Sequence, residues 1–412
     1  MGVKAPASRP FVPPPAPRHI SALGPVVALL QCAHRSHGPD SAMTEDNFVL
    51  VDGARVVFRY GCLHQEPPFE VEIHCPLAAG LHRDHEKILE EHRAWARGFG
   101  ILPHGDTYDR YCDTRFDLIS AYQYYDLPLE AAVTAAHLMT WFFVFDDVMD
   151  ISLSPEQDIR SYRKRLCERH LELLGGAKAS QNDPPVIVAF GDFLQRVHRL
   201  CDGDLHPWYG RMAHHLREYV MGTHWESLIG PTTAANSNTA LYLQVRHMTV
   251  GVAPCLDLMA AAKRIPPEPI IADAFIRRLE RLAINYSIWI NDLAGLCRDV
   301  RQGLGNVVFT LQQDHSLGIA DAVRTVARQC DGELDAFLEV ERQLPLLLGD
   351  AFARNASAYA AYVDVLKRWM RGLVDWSARS ARYRRFDVDM ALQDKTSIRQ
   401  ASRQYGSGAA SK

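Results

Sequence analysis

The chain has 412 residues, a formal charge of −4 and a pI near 6.5. Hydrophobic residues are 47%, charged residues 23% and aromatics 9%, which excludes a disordered, collagen-like or coiled-coil chain. The mildly acidic balance argues against a nucleic-acid partner, and it means that a bound anion would need local cations or metal ions.

The first twenty residues hold six prolines, Pro6, Pro10, Pro13, Pro14, Pro15 and Pro17. Such a segment has too little apolar patterning to offset its ordering entropy, so residues 1–45 read as a disordered tail. Met43 is an alternative start. The apolar stretch from Gly24 to Leu30 is short and interrupted by Pro25, unlike a signal peptide. No run of 18 apolar residues predicts a membrane span. Nine cysteines stand singly, from Cys32 and Cys62 to Cys330, with no CxxC pair. That pattern predicts a reducing, cytoplasmic setting rather than a disulfide framework. Residues 47–60 read as a small strand pair.

From Leu81 to Arg385 the hydrophobic period is helical. Residues 85–99 carry Ile88, Leu89, His92, Trp95 and Phe99 at spacings of three and four. Residues 130–150 are apolar all round from Ala131 to Phe145, which predicts a helix buried on nearly every side. Further helices are expected over 158–174, 187–203, 208–229, 239–263, 270–299, 317–343 and 350–380. Breaks fall at Pro103, Gly175-Gly176, Asp183-Pro184-Pro185, Gly230-Pro231 and Pro266-Pro267. Ten or so helices without an internal boundary predict one large all-α domain over residues 46–400. Residues 401–412 read as a flexible tail.

Acids are unexpected in a buried helix, yet this one ends in Asp146-Asp147-Val148-Met149-Asp150. Asp146 and Asp150 are four apart and share a helix face, where unpaired carboxylates repel. A hard divalent cation would relieve the repulsion, and Mg²⁺ commonly uses one or two carboxylates together with substrate phosphates. A solvated acidic helix end is the alternative. A second stripe follows at Asn291, Gly295 and Asp299, again four apart. Asn291 and Asp299 offer hard oxygens, and Gly295 leaves room for a water. The alternative here is an exposed polar face. Arg246 interrupts an apolar helix, Arg298 precedes Asp299, and Arg382 adjoins Tyr383. Arginine forks match phosphate, and tyrosine adds a hydroxyl. Singly, each is better explained as a surface or salt-bridged arginine, and their value comes from the set.

Together these features resemble the class I terpene synthases of microbial type, whose aspartate-rich motif DDxxD is intact as Asp146, Asp147 and Asp150. The family's second metal motif, Asn-Asp-x-x-Ser/Thr-x-x-x-Glu, is matched by Asn291, Asp292 and a trailing acid. Gly295 replaces the hydroxyl ligand and Asp299 replaces the glutamate. The diphosphate-sensing arginine corresponds to Arg246, and the C-terminal Arg-Tyr pair to Arg382 and Tyr383. The resemblance runs from about Pro68 to Tyr383.

It implies a helical bundle that binds an isoprenyl diphosphate with three Mg²⁺ ions, Mn²⁺ being a substitute. Farnesyl diphosphate is the first substrate expected, geranylgeranyl diphosphate the second and geranyl diphosphate the third. Asp146, Asp147, Asp150, Asn291, Gly295 and Asp299 are the implied metal positions. Arg246, Arg298, Arg382 and Tyr383 would hold the diphosphate. Phe142, Phe143 and Trp376 match the cavity aromatics, with Tyr242, Trp225 and Trp289 as looser matches. A homodimer is also implied. A chain-elongating prenyltransferase shares the fold but needs a second DDxxD where this chain has Asn291-Asp292. A silent helical binding protein would make all the motifs coincidental.

Overall fold

The computed structural model describes residues 48–383 apart from 62, 64–66, 103–105, 151–155, 202–205 and 230–237. The expected tails, the stretch from Gly24 to Leu30 and Met43 lie outside the described residues.

The chain enters as a three-stranded antiparallel sheet, β1 (Phe48–Asp52), β2 (Arg55–Tyr60) and β3 (Phe69–His74), in the order β1-β2-β3. The expected strand pair is present and gains a third member. Asp52 pairs with Arg55 across a two-residue turn in which Gly53 takes φ +59°, the left-handed geometry that tight hairpins need. Val56, Phe58 and Tyr60 of β2 turn inward. Arg371 staples this sheet to the helices by donating from Nη1 to the carbonyls of Gly53, Cys75 and Leu77 at 2.9, 3.2 and 3.1 Å.

Everything after the sheet is helical: α1 (His85–Gly98), α2 (Asp106–Thr114), α3 (Phe116–Gln123), α4 (Leu129–Asp150), α5 (Glu156–Leu174), α6 (Pro185–Leu200) and α7 (Pro207–Ile229). There follow α8 (Thr239–Thr249), α9 (Val252–Ala262), α10 (Glu268–Ile271), α11 (Ala274–Gln302), α12 (Val307–His315), α13 (Ile319–Leu348) and α14 (Asp350–Ser377). A 3₁₀ turn, Ala381–Tyr383, ends the described chain. The fold is the expected all-α bundle. Among the described residues no helix is long and apolar enough to cross a membrane. None of the seven described cysteines, all but Cys112 buried, forms a disulfide.

As its composition requires, α4 is packed on all sides, touching α1, α3, α6, α7 and α9. Its C-terminal half, from Met139 to Asp150, reaches the cavity. Asp273 caps α11 by accepting from the Phe275 and Ile276 amides, and Asn306 caps α12 through the Val308 amide.

Three expectations need correction. The single helix over 239–263 is two, because Gly251 takes φ +70°. A Cβ there would stand 3.3 Å from Phe142 Cζ, so both the turn and the close approach require glycine. The helix expected from 270 begins at Ala274 after the short α10. Finally, α2, α3 and α12 fall where no helix was expected. All eight residues of α3 are buried, so it lacks an amphipathic period.

Candidate active site

A cavity of about 520 Å³ opens among α4, α7, α8, α11 and α14, a size typical of small-molecule sites. Two acidic helix segments form opposite parts of its rim, and arginines stand between them.

The first segment is the end of α4. Asp146 and Asp150 line the cavity, whereas Asp147 is turned toward Arg382, whose Nη2 is 3.8 Å from its carboxylate. Carboxylates in the last turn of a helix oppose its macrodipole. Enclosure in the protein raises the Asp146 carboxyl above its ordinary range, with Arg382, Arg298 and Arg246 opposing that shift. Asp150 keeps an exposed side chain at the mouth. Desolvation, then the like charges of Asp146, Glu226 and Asp147, push it well up. Both carboxyls are therefore held in a setting that disfavours their charged forms, which a bound cation would relieve.

The second segment lies on α11. Asn291, Asp292, Arg298 and Asp299 line the cavity. Asn291 Oδ1 accepts from Arg246 Nη2 at 2.9 Å, and its Nδ2 donates to the Tyr383 hydroxyl at 3.1 Å. Asp292 is held as a brace, accepting from the Tyr242 hydroxyl at 2.7 Å and the Val307 amide at 2.9 Å. Asp299 Oδ1 accepts from Arg298 Nη2 and Nε at 2.7 and 3.0 Å. Gly295 is buried outside the cavity lining. The room it leaves is filled by Asp299, whose Oδ2 would be 3.1 Å from a Cβ on residue 295, not left open to a water.

Below the rim the wall is apolar and aromatic. Phe142 packs edge-on to Tyr219 at 4.5 Å, and Phe143 stacks on Phe116 at 3.9 Å. The Arg382 guanidinium lies 4.7 Å over the Phe143 ring, a cation–π contact. Trp376 borders the cavity while donating from its indole nitrogen to the Thr114 carbonyl at 3.0 Å. The three looser aromatic matches do not line the cavity. Trp225 is 43% exposed on α7, Trp289 is buried elsewhere on α11, and Tyr242 is the brace of Asp292.

Two lining residues carried no readable signal. Glu226 on α7 is pushed up to about 7, mainly by desolvation, with Arg246 opposing and Asp146 adding to the shift. Arg163 on α5 donates to the Val148 carbonyl at 3.1 Å, near the C-terminal end of α4, where a cation suits the helix dipole. The acidic and basic lining is thus five carboxyl groups (Asp146, Asp150, Glu226, Asp292, Asp299) against four arginines (Arg163, Arg246, Arg298, Arg382).

No histidine or cysteine stands in the described lining, and apart from the thioethers of Met139 and Met149 the ligands it offers are hard oxygens, chiefly of Asp, Glu and Asn side chains. That donor set fits Mg²⁺ and suits a softer ion poorly. Among the described residues no three His, Cys, Asp or Glu side chains enclose an ion by themselves. Magnesium ordinarily completes its shell with water and substrate phosphate. An all-α bundle with an oxygen rim, cavity arginines and an aromatic wall is the arrangement that the sequence's resemblance to the class I terpene synthases implies.

Comparison with known proteins agrees. The family described as terpene synthase family 2, C-terminal metal binding, matches residues 137–336. Pentalenene synthase of Streptomyces exfoliatus is 27% identical over 332 residues, covering 79% of this chain and 95% of its own. The (-)-beta-caryophyllene synthase of Saccharothrix espanaensis, described as cyclising (2E,6E)-farnesyl diphosphate, is 26% identical over 77% of this chain and 89% of its own. In fold, the chain is similar to linalool/nerolidol synthase from Streptomyces clavuligerus in complex with 2-fluorogeranyl diphosphate. The TM-score is 0.65 at 24% identity, over 76% of this chain and all of that one. Over about three quarters of its length the chain is similar to class I terpene synthases of microbial type, and it is an enzyme acting on an isoprenyl diphosphate.

Proposed function

We propose that this chain is a Mg²⁺-dependent, cytoplasmic cyclase of farnesyl diphosphate, with geranylgeranyl diphosphate the next candidate. The observation that carries the reading is the meeting of Asp146, Asp150, Asn291 and Asp299 around Arg246, Arg298 and Arg382 at the mouth of one aromatic-walled cavity. The farnesyl-cyclising relative from Saccharothrix espanaensis supports the choice of a C15 substrate.

In this reading Asp146 and Asp150, with Asn291 and Asp299, hold the metal ions, three by resemblance. Bound Mg²⁺ supplies Lewis-acid stabilisation of the departing diphosphate. Arg246, Arg298 and Arg382 face the same leaving group and offer fork-shaped donors that favour its developing charge. Tyr383 holds Asn291 in place. Asp147 contributes indirectly by orienting Arg382. With the diphosphate fixed at the rim, the prenyl chain lies against Phe142, Phe143 and Trp376. Their ring faces stabilise an allylic cation without attacking it. The apolar wall excludes water until the cation has cyclised.

The test is incubation of purified protein with farnesyl and geranylgeranyl diphosphates, with and without Mg²⁺. A cyclic terpene and free diphosphate should appear only with metal. Lack of turnover of any prenyl diphosphate would sink the reading. Chain elongation on adding isopentenyl diphosphate would replace it with a prenyltransferase.

A further inference from the structure

The second rim segment departs from its family's pattern at two positions, and the structure links them through a third residue. The Asp299 carboxylate folds back one turn along α11. Its Oδ2 lies where it would be only 3.1 Å from a Cβ on residue 295, a separation at which one group has to move. Oδ2 also accepts from Asn306 Nδ2 at 2.9 Å, and the same nitrogen donates to the Asp292 carbonyl at 2.8 Å. Asn306 is fully buried. Its Oδ1 accepts from the Val308 amide at 3.0 Å as the cap of α12, which fixes which end of the amide is the donor. One side chain therefore ties the start of α12 to both ends of the Asp292–Asp299 segment. The other carboxylate oxygen, Oδ1, faces Arg298.

We propose that Asn306 is the positioning residue for Asp299, and that Gly295 is the space this pose needs. Residues 295, 299 and 306 then work as one unit. The pose fixes Oδ2 against α12 and leaves Oδ1 to a cavity ion in exchange for Arg298. The missing hydroxyl at 295 and the shorter acid at 299 are accordingly one linked change. This inference rests on the reading of the cavity as a metal–diphosphate site.

The test uses Mn²⁺ as a spectroscopic stand-in, binding to the full chain followed by electron paramagnetic resonance with inorganic diphosphate present. Thermal stability is measured without either ligand. Gly295→Ala gains about 1 kcal/mol of helix propensity, which offsets the cost of shifting the Asp299 hydrogen bonds, so the unliganded protein should melt close to wild type. Its Mn²⁺ affinity should nevertheless fall at least tenfold, because the new methyl displaces the carboxylate. Asn306→Ser keeps a capping hydroxyl and removes the amide donor, and should also weaken Mn²⁺ binding at least tenfold. Combining Gly295→Ser with Asp299→Glu should bind Mn²⁺ more tightly than Gly295→Ser alone. Wild-type affinity in Gly295→Ala would overturn the proposal, as would a double variant that binds no better than the serine single. If the wild-type protein bound no Mn²⁺ with diphosphate, the reading of the cavity would fail as well.

Discussion

Asn291 donates a hydrogen bond from Nδ2 to the Tyr383 hydroxyl across 3.1 Å, joining a mid-helix ligand candidate to the last described residue of the chain. One residue earlier, Arg382 reaches Asp147 on α4. The 3₁₀ turn thus touches both acidic segments, and Asn291 is aligned from two sides, by Tyr383 and by Arg246. Replacing Tyr383 with Phe removes one neutral hydrogen bond, so stability should fall by about 1 kcal/mol. Turnover should fall more, about tenfold, and the Mg²⁺ concentration for half-maximal rate should rise. A rate loss with unchanged metal dependence would argue against this role for Tyr383.

The three aspartates of α4 should differ in importance. Asp146→Asn and Asp150→Asn remove cavity oxygens and should each lower kcat/KM by about 10²-fold or more, the scale on which removing a transition-state charge partner acts. Asp147→Asn leaves those oxygens in place and only loosens Arg382, so its loss should be smaller, about tenfold. Steady-state kinetics on the three variants gives the ranking. Equal losses for all three would mean that Asp147 also reaches the cavity.

Gly251 separates α8 from α9, between Arg246 and the apolar wall. Gly251→Ala would place a methyl 3.3 Å from Phe142 Cζ in a left-handed backbone. The backbone strain alone should cost about 1–2 kcal/mol. The expected result is a lowered melting temperature and an altered product mixture, since Phe142 belongs to the wall. Gas chromatography of the products, together with thermal melting, checks both.

Acid should destabilise the fold through two histidines that are buried in the neutral form. His170 is pushed down to about 3 and His92 to about 4, in both cases chiefly by desolvation. His170 Nε2 accepts from the Trp141 indole at 3.1 Å, which requires that nitrogen to be unprotonated. Unfolded, both rings take up protons near pH 6.5; folded, they do not. The unfolded state therefore binds more protons below pH 6.5, so stability falls as pH drops from 6.5 toward 4. The slope is at most about 1.4 kcal/mol per pH unit for each histidine. His170→Gln should flatten the decline in denaturant-unfolding free energy measured across that range. An unchanged slope would show that other groups carry it.

How much of this was legible follows from what each element buries. The helix ending in Asp150 was clear because an uninterrupted apolar run before acids has few other readings, and its limits differ by only one residue. Strand β3 alternates Phe69, Val71 and Ile73 with Glu70, Glu72 and His74, a period of two that the expected strand pair over 47–60 did not include. By contrast, α3 encloses Asp117, Ser120 and Gln123, so no polar face marks it. The break at Gly251 sits inside an apolar run, where only the backbone angle reveals it. In the site, the acids announced themselves by local spacing. The convergence of Arg246, Arg298 and Arg382 is a tertiary fact that only the family resemblance anticipated. Glu226 and Asn306 gave no such sign, because one lies among mixed polar and apolar residues of α7 with no clear periodic face and the other resembles any helix cap.

The near balance of five acids and four arginines around the cavity bears on how the enzyme meets its substrate. A strongly charged mouth would draw a polyanion from a distance, at a rate that falls steeply with ionic strength. Here the opposing charges lie within a few ångströms of one another, well inside the Debye length of about 8 Å in physiological salt, so their fields largely cancel before reaching the solvent. Capture then depends on short-range exchange of partners once the diphosphate is already at the rim. An enzyme built this way works at nearly the same encounter rate in dilute and in salty surroundings.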